Sequence, residues 1–161
     1  MLALGLATRE AIAEVTGLAP DLRWPNDVLL QDRKCAGILA QLEGDAIVAG
    51  IGINVHHTRF PSEIEALATS LRLAGAGAVS REDLLVALAR AVDACCQILT
   101  GQGAGAVVRA FSEASSYAQG RRVQAGDIEG VTCGLDPSGF LVVRQDDGKE
   151  ITILAGGVRG G

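Results

Sequence analysis

The sequence is short of aromatic residues, with three Phe, one Trp and one Tyr in 161 positions, so small and aliphatic side chains carry its apolar content. Proline is scarce as well, 4 against 21 Gly, and glycine in such excess marks tight turns or places where backbone comes close to a ligand. Positive charge is in deficit: 14 Lys and Arg stand against 19 Asp and Glu, a formal net charge of −5. That balance excludes a broad cationic surface for phosphate backbones or anionic membranes, so nucleic-acid binding is not expected. No 18 apolar residues run together, and no membrane span is predicted. Residues 1–15 are apolar but interrupted by Arg9, Glu10 and Glu14, with no cleavage site after them, the pattern of an amphipathic helix and not of a targeting peptide. Cys35, Cys95, Cys96 and Cys133 form no C-x-x-C pair, and no histidine completes a zinc site. They are expected to be buried thiols without disulfides, in a reducing, cytoplasmic setting.

What is present describes a globular chain, 48% hydrophobic and 20% charged, long enough for one medium unit and one small one. A first helix over 2–15 places Leu4, Ala7, Ala11 and Val15 on one stripe and stops at Gly17; it is expected to pack on a sheet. Strands follow at 22–24, which must end before Pro25, and then at 28–30, 35–42 and 46–53 as an antiparallel meander. Gln31-Asp32-Arg33-Lys34 is its charged turn. The 46–53 run is so uniformly apolar that both faces are expected to be covered. Ser62 and Glu65 have the spacing of a helix start, as does Ser80 for a helix over 81–99 with Leu84, Leu88, Val92, Cys95 and Leu99 on its stripe and Gly101 after it. A short helix is placed near 106–115. After Gly120 come four short strands, 121–125, 128–135, 140–144 and 150–154, with Asp136-Pro137-Ser138-Gly139 as a turn; they are expected to form a small β-barrel.

Chemistry is suggested between Arg23 and Asn54. Side chains alternate along a strand, so Gly50, Gly52 and Asn54 share one face, and the two glycines leave bare backbone against which a ligand can lie, or into which a core side chain can pack. Lys34 directly precedes Cys35-Ala36-Gly37-Ile38-Leu39, where glycine again clears space beside a cation; by itself a lysine at a turn is ordinarily a solvated charge. Adjacent His56 and His57 point in opposite directions on extended chain and read as surface loop, not a metal site. Trp24 reads as core.

Arg23-Trp24-Pro25-Asn26-Asp27, Arg33-Lys34-Cys35-Ala36-Gly37-Ile38-Leu39 and Gly50-Ile51-Gly52-Ile53-Asn54-Val55 resemble, in order and spacing, the K/R-W-P-N-D, K-x-A-G-I-L and G-I-G-I-N-V motifs of biotin protein ligases. Phe60-Pro61 and Ala68-Thr69-Ser70-Leu71 also match. The resemblance implies an α+β fold: part of a biotin/lipoate ligase-like catalytic domain, a mixed or antiparallel sheet with packed helices, over 1–117, then a C-terminal SH3-like β-barrel over 118–161. It implies ATP-dependent activation of biotin to biotinyl-5'-AMP and transfer to a lysine of a biotin carboxyl carrier domain. Lys34 would stabilise the developing negative charge. Asn26 and Asp27 would orient the phosphates, Asp27 through Mg²⁺. Gly37, Ile38 and Leu39 would line the biotin pocket, with Gly50, Gly52 and Asn54 bordering pocket and nucleotide.

The family's G-R-G-x-x-G-R loop, which grips biotin and adenylate, has no counterpart in the sequence, and neither has the winged helix of DNA-binding members. An N-terminally truncated ligase is therefore expected. The alternative is a catalytically incomplete fragment that only binds or docks, with an open sheet edge that favours self-association, for example as a homodimer. A lipoate ligase relative shares the architecture but gives no reason for the R-K-x-A-G-I-L and G-I-G-I-N combination.

Overall fold

In the computed structural model, which describes residues 1–160, α1 (Leu2–Thr16) ends at Gly17, whose φ of 68° lets its N–H reach back to Ala13 O. β1 (Asp21–Arg23), β2 (Asp27–Leu30), β3 (Arg33–Glu43) and β4 (Ala46–Ile53) form an antiparallel sheet in that spatial order. Ala11 and Ile12 of α1 bury against Leu22, Val28, Leu29, Cys35 and Ile38 of the sheet. α2 (Arg81–Gln102) and α3 (Ala104–Ala114) pack beside α1. Ser80 caps α2 by accepting from Asp83 N–H, with Glu82 and Asp83 in the first turn where the helix dipole favours them.

β5 (Gln119–Ala125), β6 (Ile128–Leu135), β7 (Leu141–Arg144), β8 (Glu150–Ile153) and β9 (Arg159–Gly160) form a second antiparallel sheet, in the order β8-β7-β6-β5-β9. The β6–β7 turn forms where expected: Gly139 takes a φ of +85°, and Asp136 Oδ1, which the sequence reading did not single out, accepts from the Ser138 and Phe140 N–H groups. The first sheet is tied to the end of α3 and to the β6–β7 turn by buried polar contacts. Ser115 Oγ donates to Leu22 O at 2.6 Å, and the Trp24 indole N–H donates to Gly139 O at 3.0 Å. Trp24 is thus a core residue with its one polar atom satisfied.

Several expectations need correction. β4 is not covered on both faces but is an edge strand, with Ile47 73% and Val48 53% exposed, and its neighbour β3 exposes Leu39 and Leu42. Apolar composition says a strand can be buried; its place in the sheet decides whether it is. Ser62 starts turns and no helix. α2 runs to Gln102, and its stripe is buried only at its start, at Leu84, while Leu99 is exposed. By length and composition alone α2 is also apolar enough to cross a membrane, which the absence of an 18-residue apolar run did not anticipate; Arg90 within it pairs with Glu14 of α1 at 2.6 Å. All four cysteines are free, but only Cys35 is fully buried and Cys96 is exposed. Burial pushes the Cys35 thiol up to about 12, so it stays protonated and inert. β9 was not foreseen, being two residues defined only by pairing with Val123 and Gln124.

Candidate functional site

The site begins with an irregularity. β2 and β3 pair Asp27 with Gly37 and Val28 with Ala36, but then Leu29 with Lys34, which leaves Cys35 as an extra residue in a bulge. Strict alternation would put Lys34 on the same face as Ala36 and Ile38, which point into the core. The extra residue reverses that parity. Cys35 and Ala36 are buried in succession, and Lys34 swings over Gly37 on the opposite face.

Glycine 37 makes room for it. A Cβ there would lie 2.8 Å from both Cε and Nζ of Lys34. Gly37 pairs with Gly52, and Leu39 with Gly50, so three glycines carpet one face of the β3–β4 ladder. A Cβ on Gly50 would meet nothing within 4 Å, and one on Gly52 only the Gly37 carbonyl at 4.0 Å. The glycines therefore do not admit a core side chain; they floor an open groove of about 490 Å³ in which Lys34, Asn26 and Leu39 stand around them. Two adjoining clefts, of about 440 and 400 Å³, also open onto Lys34, one reaching Asn54 and Phe60 and the other Arg23, Asp27 and Arg159.

The amine is held by an ion pair. Lys34 Nζ lies 2.5 Å from Asp27 Oδ1, off the hydrogen-bonding direction, and Arg23 Nη2 donates to Asp27 Oδ2 at 2.8 Å. Asp27 thus sits between two cations and leaves the trio with a net positive charge. The Lys34 side chain is 42% exposed, so the cation faces the groove while its position is fixed from behind.

The other expected residues divide into two groups. Gly37, Leu39, Gly50 and Gly52 face the groove. Ile38 does not, because its side chain belongs to the alternate set and is 1% exposed in the core; only its backbone borders the groove. Asn26 and Asn54 act first as clamps. Asn26 Nδ2 donates to Ile38 O at 2.8 Å while its own carbonyl accepts from Ile38 N–H. Asn54 Nδ2 donates to Thr69 O at 3.1 Å, fastening 68–71 to the sheet, where Lys34 N–H also donates to Leu67 O. His57 is exposed and stacks on Phe60, and the His56 ring meets Val79 O, so neither joins the groove. Among the described residues no three His, Cys, Asp or Glu side chains are grouped to hold a metal ion. Arg23, and Arg159 from β9, were not singled out from sequence; Arg23 lies inside the R-W-P-N-D run, whereas nothing local marks Arg159.

No family model matches the chain. It is 33% identical over 165 residues to the biotin--[acetyl-CoA-carboxylase] ligase of Mycobacterium tuberculosis, covering 98% of this chain and 60% of that protein. It is 31% identical to the bifunctional ligase/repressor BirA of Escherichia coli, covering 90% of this chain and 48% of the relative. The chain thus spans about half to three-fifths of these curated relatives. The solved biotin protein ligase of Aquifex aeolicus in complex with biotin and ATP superposes with a TM-score of 0.87 at 30% identity, covering 99% of this chain and 70% of that one. With likeness running through both sheets and the helices between them, and with three motifs meeting at one groove, the chain belongs to the biotin protein ligase family.

Proposed function

We propose that the groove binds biotin and ATP and joins them, and that the chain then passes biotin to a lysine of a biotin carboxyl carrier domain. The observation that carries this reading is the Lys34 amine held over a floor of glycine backbone. In the first step a biotin carboxylate oxygen attacks the α-phosphorus and the bond to the β-phosphate oxygen breaks, releasing pyrophosphate. In the second a carrier lysine amine attacks the acyl carbon, AMP leaves and the amine loses a proton. Negative charge gathers on the phosphoryl and acyl oxygens in both steps, and a cation already in place lowers its energy without reorganising solvent. Asp27 and Arg23 preset that cation. Leu39, 70% exposed, offers apolar surface to biotin, Gly50 and Gly52 allow close approach, and the Asn26 and Asn54 clamps keep the floor flat. Mg²⁺ would accompany the nucleotide phosphates, but Asp27 has cations at both oxygens, so the residues present do not fit a metal held by the protein there. The five-stranded second sheet, from about residue 118, is read as the SH3-like domain, and the chain as a soluble cytoplasmic enzyme in which α2 packs on α1 and is joined to it by the Arg90–Glu14 pair.

The deciding experiment incubates this chain with ATP, Mg²⁺, biotin and a carrier domain; biotin-dependent pyrophosphate release and a biotinylated carrier are expected. The exposed apolar residues at the open end of β3 and β4 favour a second reading, a docking module that binds without catalysis. Carrier or nucleotide binding with no pyrophosphate released would establish it.

Gly37→Ala tests the geometry. The clash is with the end of a flexible side chain, so the fold should lose less than about 1 kcal/mol, yet the amine must leave its place. Adenylate formation is expected to fall roughly 10- to 100-fold, measured against unchanged thermal unfolding. A rate equal to that of the parent chain would show that the position of the amine is immaterial.

A further inference from the structure

Tyr117, 2% exposed, sits where α3 gives way to the second sheet, outside every motif described above. Two guanidinium groups flank its ring: Arg121 Cζ lies 4.3 Å from the centroid and Arg23 Cζ 5.9 Å, both within reach of a cation–π attraction. Its hydroxyl donates to Asp32 Oδ1 at 3.3 Å, and Arg121 Nη2 donates to that same oxygen at 2.9 Å. Asp32 and Gln31 make the β2–β3 turn with φ of 60° and 53°, a left-handed conformation that non-glycine residues adopt rarely. The turn is therefore gripped from the second sheet just two residues before Lys34. Arg23 is the other end of the contact: its side chain is mostly buried, its Nε has no partner, and its Nη2 holds Asp27, which in turn holds Lys34.

We propose that Tyr117, held by Arg121, is a positioning residue for the Lys34 amine, acting through Arg23 and Asp27 and through the Asp32 turn. The aromatic face compensates a guanidinium that has lost much of its water. Without that face Arg23 turns toward solvent, and Asp27, no longer fixed from its other oxygen, ceases to hold the amine in one place. The catalytic meaning of this arrangement rests on the ligase reading, but the arrangement itself can be tested without turnover.

The sequence contains two lysines, Lys34 and Lys149, and Lys149 is exposed in the β7–β8 turn. Acetylation of the whole chain with an N-hydroxysuccinimide ester, read by peptide mass spectrometry, therefore gives Lys34 reactivity with an internal reference. Tyr117→Leu and Arg121→Gln are expected to raise the Lys34-to-Lys149 ratio at least roughly threefold, while Tyr117→Phe, which keeps the ring, stays within about twofold of the parent. Buried Cys35, next to Lys34, monitors the local fold: it must remain unreactive to maleimide in any variant that is scored. If Tyr117→Leu fails that check, Arg121→Gln, altered at a half-exposed side chain, decides. An unchanged ratio in Arg121→Gln overturns the proposal. Protection of Lys34 by ATP and biotin in the parent chain is read in the same experiment and reports on the ligase assignment separately.

Discussion

Lys34→Ala is expected to lower biotin-dependent pyrophosphate release on the order of 10²-fold, the scale for losing one preorganised stabiliser of a developing oxyanion. The side chain is 42% exposed and its loss leaves Asp27 still paired with Arg23, so thermal unfolding should barely move. Any fall in rate then reports chemistry and not folding. Lys149→Ala is the matched control, since it removes the only other lysine from a turn in the second sheet. Equal rates for the two variants would detach the cation from the reaction and leave the glycine floor as a binding surface alone.

The largest effect on stability should come from Gly130→Ala. Gly130 is buried in β6, and a Cβ there would lie 2.3 Å from the Arg144 carbonyl oxygen and 2.8 Å from its carbon. Those are backbone atoms of β7, so the two strands must separate. At the upper end of the overpacking range the cost is about 3 kcal/mol, or roughly 10 °C in Tm for a chain of this length. Gly50→Ala is the contrast, because nothing stands within 4 Å of the new methyl. Its Tm should stay within a degree or two of the parent or rise, as glycine inside a strand costs about 0.5–1 kcal/mol relative to alanine. Coincident melting curves for the two variants would contradict the assigned packing of β6 on β7.

The meander, the long helix, the cap at Ser80 and the second set of strands were legible because each rests on local patterning. The motif residues were legible as a group for a different reason: they lie within 32 consecutive positions, 23–54, on paired strands. Position within the sheet was not legible. The apolar run of β4 looks the same whether it is central or at an edge, and only the missing fifth neighbour tells them apart. The facing of Lys34 was hidden by the bulge, which no residue type announces, whereas that of Ile38 follows from simple alternation with Gly37 and Leu39. Tyr117 and Arg121 escaped notice because their partners lie 85 and 89 positions away, beyond any periodicity.

The single extra residue at Cys35 makes chain length here as decisive as composition. Removing Cys35 would restore a regular ladder, with Leu29 still opposite Lys34, and would leave the ammonium group on the Gly37 face at the cost of one buried core side chain. A one-codon insertion between Lys34 and Cys35 would instead do what no conservative replacement could, carrying the ammonium group to the face of Ala36 and Ile38, away from Asp27.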